Sequence, residues 1–197
     1  MSDRDTLKVY DARAAEYARL TGESQASDPH LTAFIEECEA GGRVLDLGCG
    51  PGVAAGVLAQ AGFEVDATDA SPEMVALAAR RPGVTAWQAS FDEIEGSALY
   101  DGIWANFCLL HAPRADMPRH LAALHAALKP GGLFHIGLKT GTGEKRDALG
   151  RFYTYYTEAE LEDLLSDAGF AVQFRAYGRD KGLDGVDADW IVMRALA

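Results

Sequence analysis

The segment Val44-Leu45-Asp46-Leu47-Gly48-Cys49-Gly50-Pro51-Gly52 constrains the fold of this chain more than any other. A short apolar run ends in three glycines at alternate positions, and an Ala- and Leu-rich helical pattern follows at 53–61. Glycine is required where a tight turn demands left-handed backbone, or where a ligand approaches the chain with no Cβ in the way. A strand breaking into a helix here also aims the helix's positive end at the turn.

The spacing separates two kinds of nucleotide site. A dinucleotide fingerprint, G-x-G-x-x-G, counted from Gly48 and Gly50 needs glycine at 53, which is Val53. The chain instead has G-x-G-x-G with Asp46 beneath it. A carboxylate there repels a pyrophosphate but suits a ligand bearing an ammonium or sulfonium group. Asp69 ends the next apolar run, 19 residues after Gly50, where a carboxylate accepts from ribose hydroxyls. Asp69 indicates a nucleoside; Asp46 and the glycine spacing indicate which kind.

Around this loop, short apolar runs recur at 43–47, 63–68, 84–88, 100–106, 133–138, 170–177 and 189–194. Helical patterns at 53–61, 72–81 and 117–128 lie between the first five. Such alternation means βαβ crossovers and a mostly parallel sheet. Ser71-Pro72 starts one helix, and Thr157 with Glu160 forms a capping box before another. The Gly/Asp-rich link 178–188 is too short for a helical crossover, so the last two strands are expected to pair antiparallel. About forty residues precede the first strand, with helical patterns at 6–20 and 31–39; Tyr10, Ala14, Tyr17 and Leu20 mark one face.

A length of 197 residues suits one domain, read as a helical lid or cap at 1–40 and an α/β core at 41–197. With 18 Lys and Arg against 30 Asp and Glu, the net charge of −12 argues against a nucleic-acid partner. Three cysteines without C-x-x-C spacing, no apolar leader and no apolar run of about 20 residues point to a cytoplasmic protein off the membrane. His120 and His125 are five apart and do not share a helix face, and a calcium-like loop from Asp180 fails at Ile191, so no metal is expected.

With VLDLGCGPG at 44–52, the chain carries ATDASPEM at 67–74, SFDEI at 90–94, YDGIWAN at 100–106, LKPGGLFHIGLK at 128–139 and AELEDLLSDAGF at 159–170. In this order the motifs resemble the class I S-adenosylmethionine-dependent methyltransferases over nearly the whole chain. The resemblance implies a Rossmann-like, doubly wound α/β fold with seven strands in the order 3-2-1-4-5-7-6, strand 7 antiparallel. It implies S-adenosyl-L-methionine as cofactor and methyl transfer to a small-molecule acceptor. By the same resemblance, Gly48, Cys49, Gly50 and Gly52 form the loop around the methionine part, supported by Asp46. Asp69 holds the ribose, and Ala70 and Met74 lie near the adenine. Ser90 and Phe91 follow strand 3, where the family often places an acid on the adenine amine; Asp92 is the nearby substitute. Asn106 and Phe107 face the methyl-transfer centre.

His111 follows the carboxyl end of strand 4, where open α/β sheets place ligands and catalytic groups, and with an ordinary pKa of about 6.5 it suits a general base. Acceptor contacts are expected from Tyr10 and Tyr17 of the N-terminal helix and from Arg146, Arg151 and Tyr153 in the basic, aromatic segment 140–156. Two other functions fit part of the pattern: a cofactor-binding regulatory module without transferase activity, and a NAD-type oxidoreductase, which Val53 disfavours. The residues leave monomer and homodimer both open.

Overall fold

In a computed structural model of the chain, residues 3–197 are described, apart from the side chains of Thr21 and Glu23. Two helices come first, α1 (Arg4–Ala26) and α2 (Pro29–Glu37), the second capped by Asp28, whose carboxylate accepts from the His30 N–H with Pro29 at the first helical position. The core then runs β1 (Arg43–Leu47), α3 (Val53–Gln60), β2 (Glu64–Asp69), α4 (Pro72–Ala78), β3 (Val84–Gln88), β4 (Tyr100–Asn106), α5 (Met117–Ala127) and β5 (Leu128–Lys139). A hairpin of β6 (Glu144–Arg146) and β7 (Phe152–Thr154) precedes α6 (Glu158–Asp167), and β8 (Ala171–Lys181) and β9 (Asp187–Leu196) close the chain.

The seven-stranded sheet has the order β3-β2-β1-β4-β5-β9-β8, and β9 alone runs antiparallel to its neighbours. This is the expected order once β6 and β7, which stand apart as a separate pair, are counted. Apolar side chains cover both sheet faces, as a parallel sheet requires. Leu31, Phe34, Val44, Leu58 and Val65 pack on one side, and Leu45, Ile103, Leu121, Leu124 and Leu161 on the other. Thr157 and Glu160 form the expected capping box, and Ser71 accepts from the Met74 N–H.

Three features depart from the sequence expectations. The link at 178–188 is mostly strand, because β8 and β9 continue their ladder out to Lys181 and Asp187 and so satisfy each other's polar backbone. The β6–β7 hairpin, too short to give a periodic pattern, is held by Asp147, whose carboxylate accepts from the Leu149 and Arg151 N–H groups. The N-terminal segment divides: α2 buries Leu31 and Phe34 in the core, while α1 packs on α3 and α4 over the carboxyl ends of the strands.

Candidate active site

The glycine turn leaves β1 and enters α3 with Gly48, Gly50 and Gly52 all at positive φ. At Gly48, with φ of 63°, a Cβ would also collide with the side chain of Cys108. Under the turn lies Asp46, fully buried, with its carboxylate accepting from the Ala55 N–H at 3.0 Å. The positive end of α3 is therefore occupied by the chain's own carboxylate and does not await an external anion. Burial pushes the Asp46 pKa up to about 7, with the backbone bond and nearby Asp69 as lesser influences.

Asp69 sits across the turn at the end of β2. One oxygen accepts from the Gly50 N–H at 2.9 Å and the other from the Ser71 N–H at 2.8 Å, so its carboxylate is fixed between the loop and α4. Burial raises its pKa as well. Among the described residues, neither Asp46 nor Asp69 has an ion-pair partner within 4.0 Å. Two buried, uncompensated carboxylates make this a site for a ligand with positive charge and hydroxyl donors.

Above them lies α1. The Tyr10 hydroxyl lies 2.9 Å from His111 Nε2 and accepts from Arg151 Nη1 at 3.1 Å. His111 Nδ1 lies 2.6 Å from the Phe152 carbonyl, which can only accept, so the proton is on Nδ1 and Tyr10 donates to Nε2. At the start of α1 Thr6 accepts from the Phe152 N–H, Asp3 just ahead of the helix pairs with Arg146, and Asp11, next to Tyr10, accepts from the Ser71 hydroxyl at 2.5 Å. The helix is thereby tied to the β6–β7 hairpin at one end and to α4 at the middle.

Two cavities result. The first, about 110 Å³, is lined by Asp46, Gly48, Cys49, Gly50, Asp69, Ala70, Met74, Phe91, Asn106 and Phe107. The second, about 430 Å³, lies toward β5 and the β8–β9 hairpin and includes Arg151, Tyr153, Lys139 and Trp190. Tyr10, Tyr17, Phe107 and His111 line both and form the partition between them. Asn106 is oriented at the floor by His135 Nε2 at 3.1 Å, and the His135 ring stacks on Trp104, centroids 3.6 Å apart.

Four expectations need correction. Gly52 caps α3 away from the cavity, and a Cβ there would collide with Ala78, so this glycine serves helix packing. Ser90 turns outward into a capping box with Glu93, while Asp92 pairs with Arg119. Arg146 lies outside both cavities because Asp3 captures it in an ion pair. His111 is no free base of ordinary pKa: both ring nitrogens are engaged and burial pushes its pKa down to about 4. Burial also pushes the thiols of Cys49 and Cys108 well up, so neither is a ready nucleophile.

The sequence patterns do not reveal Lys139, Trp190 and Trp104 as site residues. Lys139 ends β5 at the same edge of the sheet that drew attention to His111, so the strand-end rule could have found it. Nothing in the spacing signals that Trp190, 51 positions later, faces it across the β5–β9 ladder.

A family model described as a methyltransferase domain matches residues 16–173. The chain is 31% identical over 195 residues to a tabtoxin biosynthesis enzyme of Pseudomonas amygdali pv. tabaci, covering 89% of this chain and 74% of that one. It is 34% identical over 133 residues to the malonyl-[acyl-carrier protein] O-methyltransferase of Enterobacter lignolyticus, covering 66% of this chain and 52% of that protein. The chain thus spans about half the length of some of the curated relatives it matches. Among solved structures, the 1,6-didemethyltoxoflavin-N1-methyltransferase of Burkholderia thailandensis, with 1,6-didemethyltoxoflavin and S-adenosylhomocysteine bound, superposes with a TM-score of 0.70 at 26% identity, covering 96% of this chain and 87% of that one. No helix among the described residues is long and apolar enough to cross a membrane.

Proposed function

The chain belongs to the class I S-adenosylmethionine-dependent methyltransferases, and from that premise we propose that it methylates a small-molecule acceptor held in the second cavity. The observation that carries this reading is the partition. Tyr10, Tyr17, Phe107 and His111 separate a slot built for a nucleoside with positive charge from a chamber of about 430 Å³.

The residues fit the cofactor. Among the described residues no cation pairs with the buried carboxylates of Asp46 and Asp69, and Gly48 keeps the turn free of a Cβ. In this reading Asp69 accepts from the ribose hydroxyls, and Gly48, Cys49 and Gly50 border the methionine portion with Asp46 beneath. Ala70, Met74 and Phe91 border the adenine, and Asn106 and Phe107 face the transfer centre. When bound, the cofactor supplies an electrophilic methyl group on a sulfonium. The protein's own task is then to hold the acceptor about 3 Å away and in line, and to exclude water.

Helix α1 serves as the lid over a core that comprises residues 41–197 together with α2. Tyr10 and Tyr17 close the chamber, and His111 holds the Tyr10 hydroxyl in place. Arg151 and Tyr153 form the far wall of the acceptor site. Three free, buried cysteines accord with a reducing cytoplasm, and the net charge of −12 with nucleic acid not being the acceptor.

Calorimetry tests the assignment directly. S-adenosylhomocysteine is expected to bind and NAD not to bind; the reverse result overturns it. Transfer of radiolabelled methyl from S-adenosylmethionine across a panel of small metabolites then separates a transferase from a binding module that never methylates.

A further inference from the structure

We propose that the acceptor is a planar anion, recognised by Lys139 at the aromatic wall of the second cavity; the inference rests on the methyltransferase reading of that cavity. Lys139 is the last residue of β5, where the strand's buried run emerges into the chamber. Its side chain is half-buried, and its Nζ sits 4.3 Å from the centre of the Tyr153 ring.

What distinguishes this cation is that it makes no salt bridge among the described residues, although Asp184 lies near enough to act on its charge. Arg151 shares the Tyr153 ring, with its guanidinium carbon 5.2 Å from the centre, but Asp147 neutralises it at 2.7 Å. No carboxylate among the described residues comes within 4.0 Å of Lys139 Nζ. Asp184 and Asp147 act on it from beyond that distance, and the acids nearest the chamber direct their hydrogen bonds elsewhere. Asp180 faces the cavity with its carboxylate accepting from the Trp190 indole N–H at 2.7 Å, and Asp184 accepts from the Val186 N–H at 3.2 Å. A partly desolvated ammonium whose nearest partner is a ring face gains from an arriving anion. Burial lowers the Lys139 pKa despite the opposing pull of Asp184, a deficit that an anionic ligand would relieve.

The shape of the acceptor follows from the other walls. Tyr10, Tyr17, Phe107, Tyr153 and Trp190 present rings to the chamber, and aromatic faces and edges favour a flat, conjugated ligand. In a chain of net charge −12, Lys139 with Lys181 at the same cavity makes a local cationic exception. Of the basic residues in the segment 140–156, Arg151 lines this cavity, whereas Lys145 lies over the Tyr155 ring and Arg146 is bound to Asp3.

The experiment uses the full chain and two matched probes, the anion 4-hydroxybenzoate and the neutral 4-hydroxybenzamide. S-adenosylhomocysteine is titrated first, and each probe is then titrated into the saturated protein. The anion should bind at least tenfold tighter than the amide. Lys139→Met should bring the anion down to the amide's affinity while leaving the amide and S-adenosylhomocysteine affinities unchanged, and Lys139→Arg should keep the preference. Equal affinities for the two probes, no binding of either, or a preference that survives Lys139→Met overturns the proposal. Failure of S-adenosylhomocysteine to bind would instead sink the methyltransferase reading. In that case a Lys139-dependent preference, measured without it, still stands as a property of the cavity.

Discussion

The hydroxyl of Tyr10 donates to Nε2 of His111 at 2.9 Å, although 101 residues separate them in the chain. This bond joins the lid helix to the turn after β4, the 3₁₀ segment Leu109–His111, and Arg151 completes it by donating to the same hydroxyl. Tyr10→Phe deletes the hydroxyl and leaves two buried polar groups facing each other. Denaturant unfolding should show a loss of about 1–3 kcal/mol, and limited proteolysis should cut within α1 faster. Unchanged stability and cleavage would mean that the bond does not hold the lid.

The pKa of His111 should leave a mark on acid stability. Its folded value, about 4, lies below the unfolded value of 6.5. Between these values the unfolded chain binds a proton that the folded chain refuses, so His111 removes stability as pH falls through that window. His111→Gln should therefore flatten the fall of Tm between pH 6.5 and 4 relative to wild type. The same slope in both proteins would disprove the shift.

Asp46 behaves oppositely. Its folded pKa of about 7 exceeds the ordinary 3.8, so its contribution to the stability of the free protein is lost as pH rises through about 7. A ligand ammonium or sulfonium needs the ionised form. S-adenosylhomocysteine affinity should thus rise with pH by up to about tenfold per unit below about 7 and level off above it. Asp46→Asn should weaken binding and remove that dependence, and a pH-dependent variant would count against this assignment.

Asp69→Ala removes the acceptor proposed for the ribose hydroxyls. Calorimetry with S-adenosylhomocysteine should show a loss of about 1.5–3 kcal/mol, the scale of hydrogen bonds to a charged group. An affinity equal to wild type would take Asp69 out of the ribose site.

The buried pair of Arg151 and Asp147 anchors the β6–β7 hairpin, with both side chains nearly inaccessible. Asp147→Ala leaves the guanidinium uncompensated and frees the N–H groups of Leu149 and Arg151. The expected cost is about 3–5 kcal/mol by thermal or chemical unfolding. A cost under 1 kcal/mol would show that water reaches the pair.

Much of this molecule is legible in its amino-acid order alone. The turn at 48–52, the carboxylate beneath it, the second carboxylate 19 residues beyond Gly50 and the strand–helix alternation are local patterns whose meaning depends on spacing. The reversed last strand follows from a link too short for a crossover, and the sheet order from the family motifs. Backbone stereochemistry and chain length act between near neighbours, so the sequence records them.

Tertiary structure alone decides which side chains meet. Arg146 and Arg151 are five positions apart and look alike in sequence, yet Asp3 draws the first outside while Asp147 pairs the second within the wall. His111 reads as an available base in sequence, but burial and Tyr10 claim it, and Lys139 becomes notable only because no carboxylate among the described residues forms a salt bridge with it. Desolvation and pairing depend on what the rest of the chain places around a group, and that information lies in contacts across a hundred residues, beyond the reach of any motif.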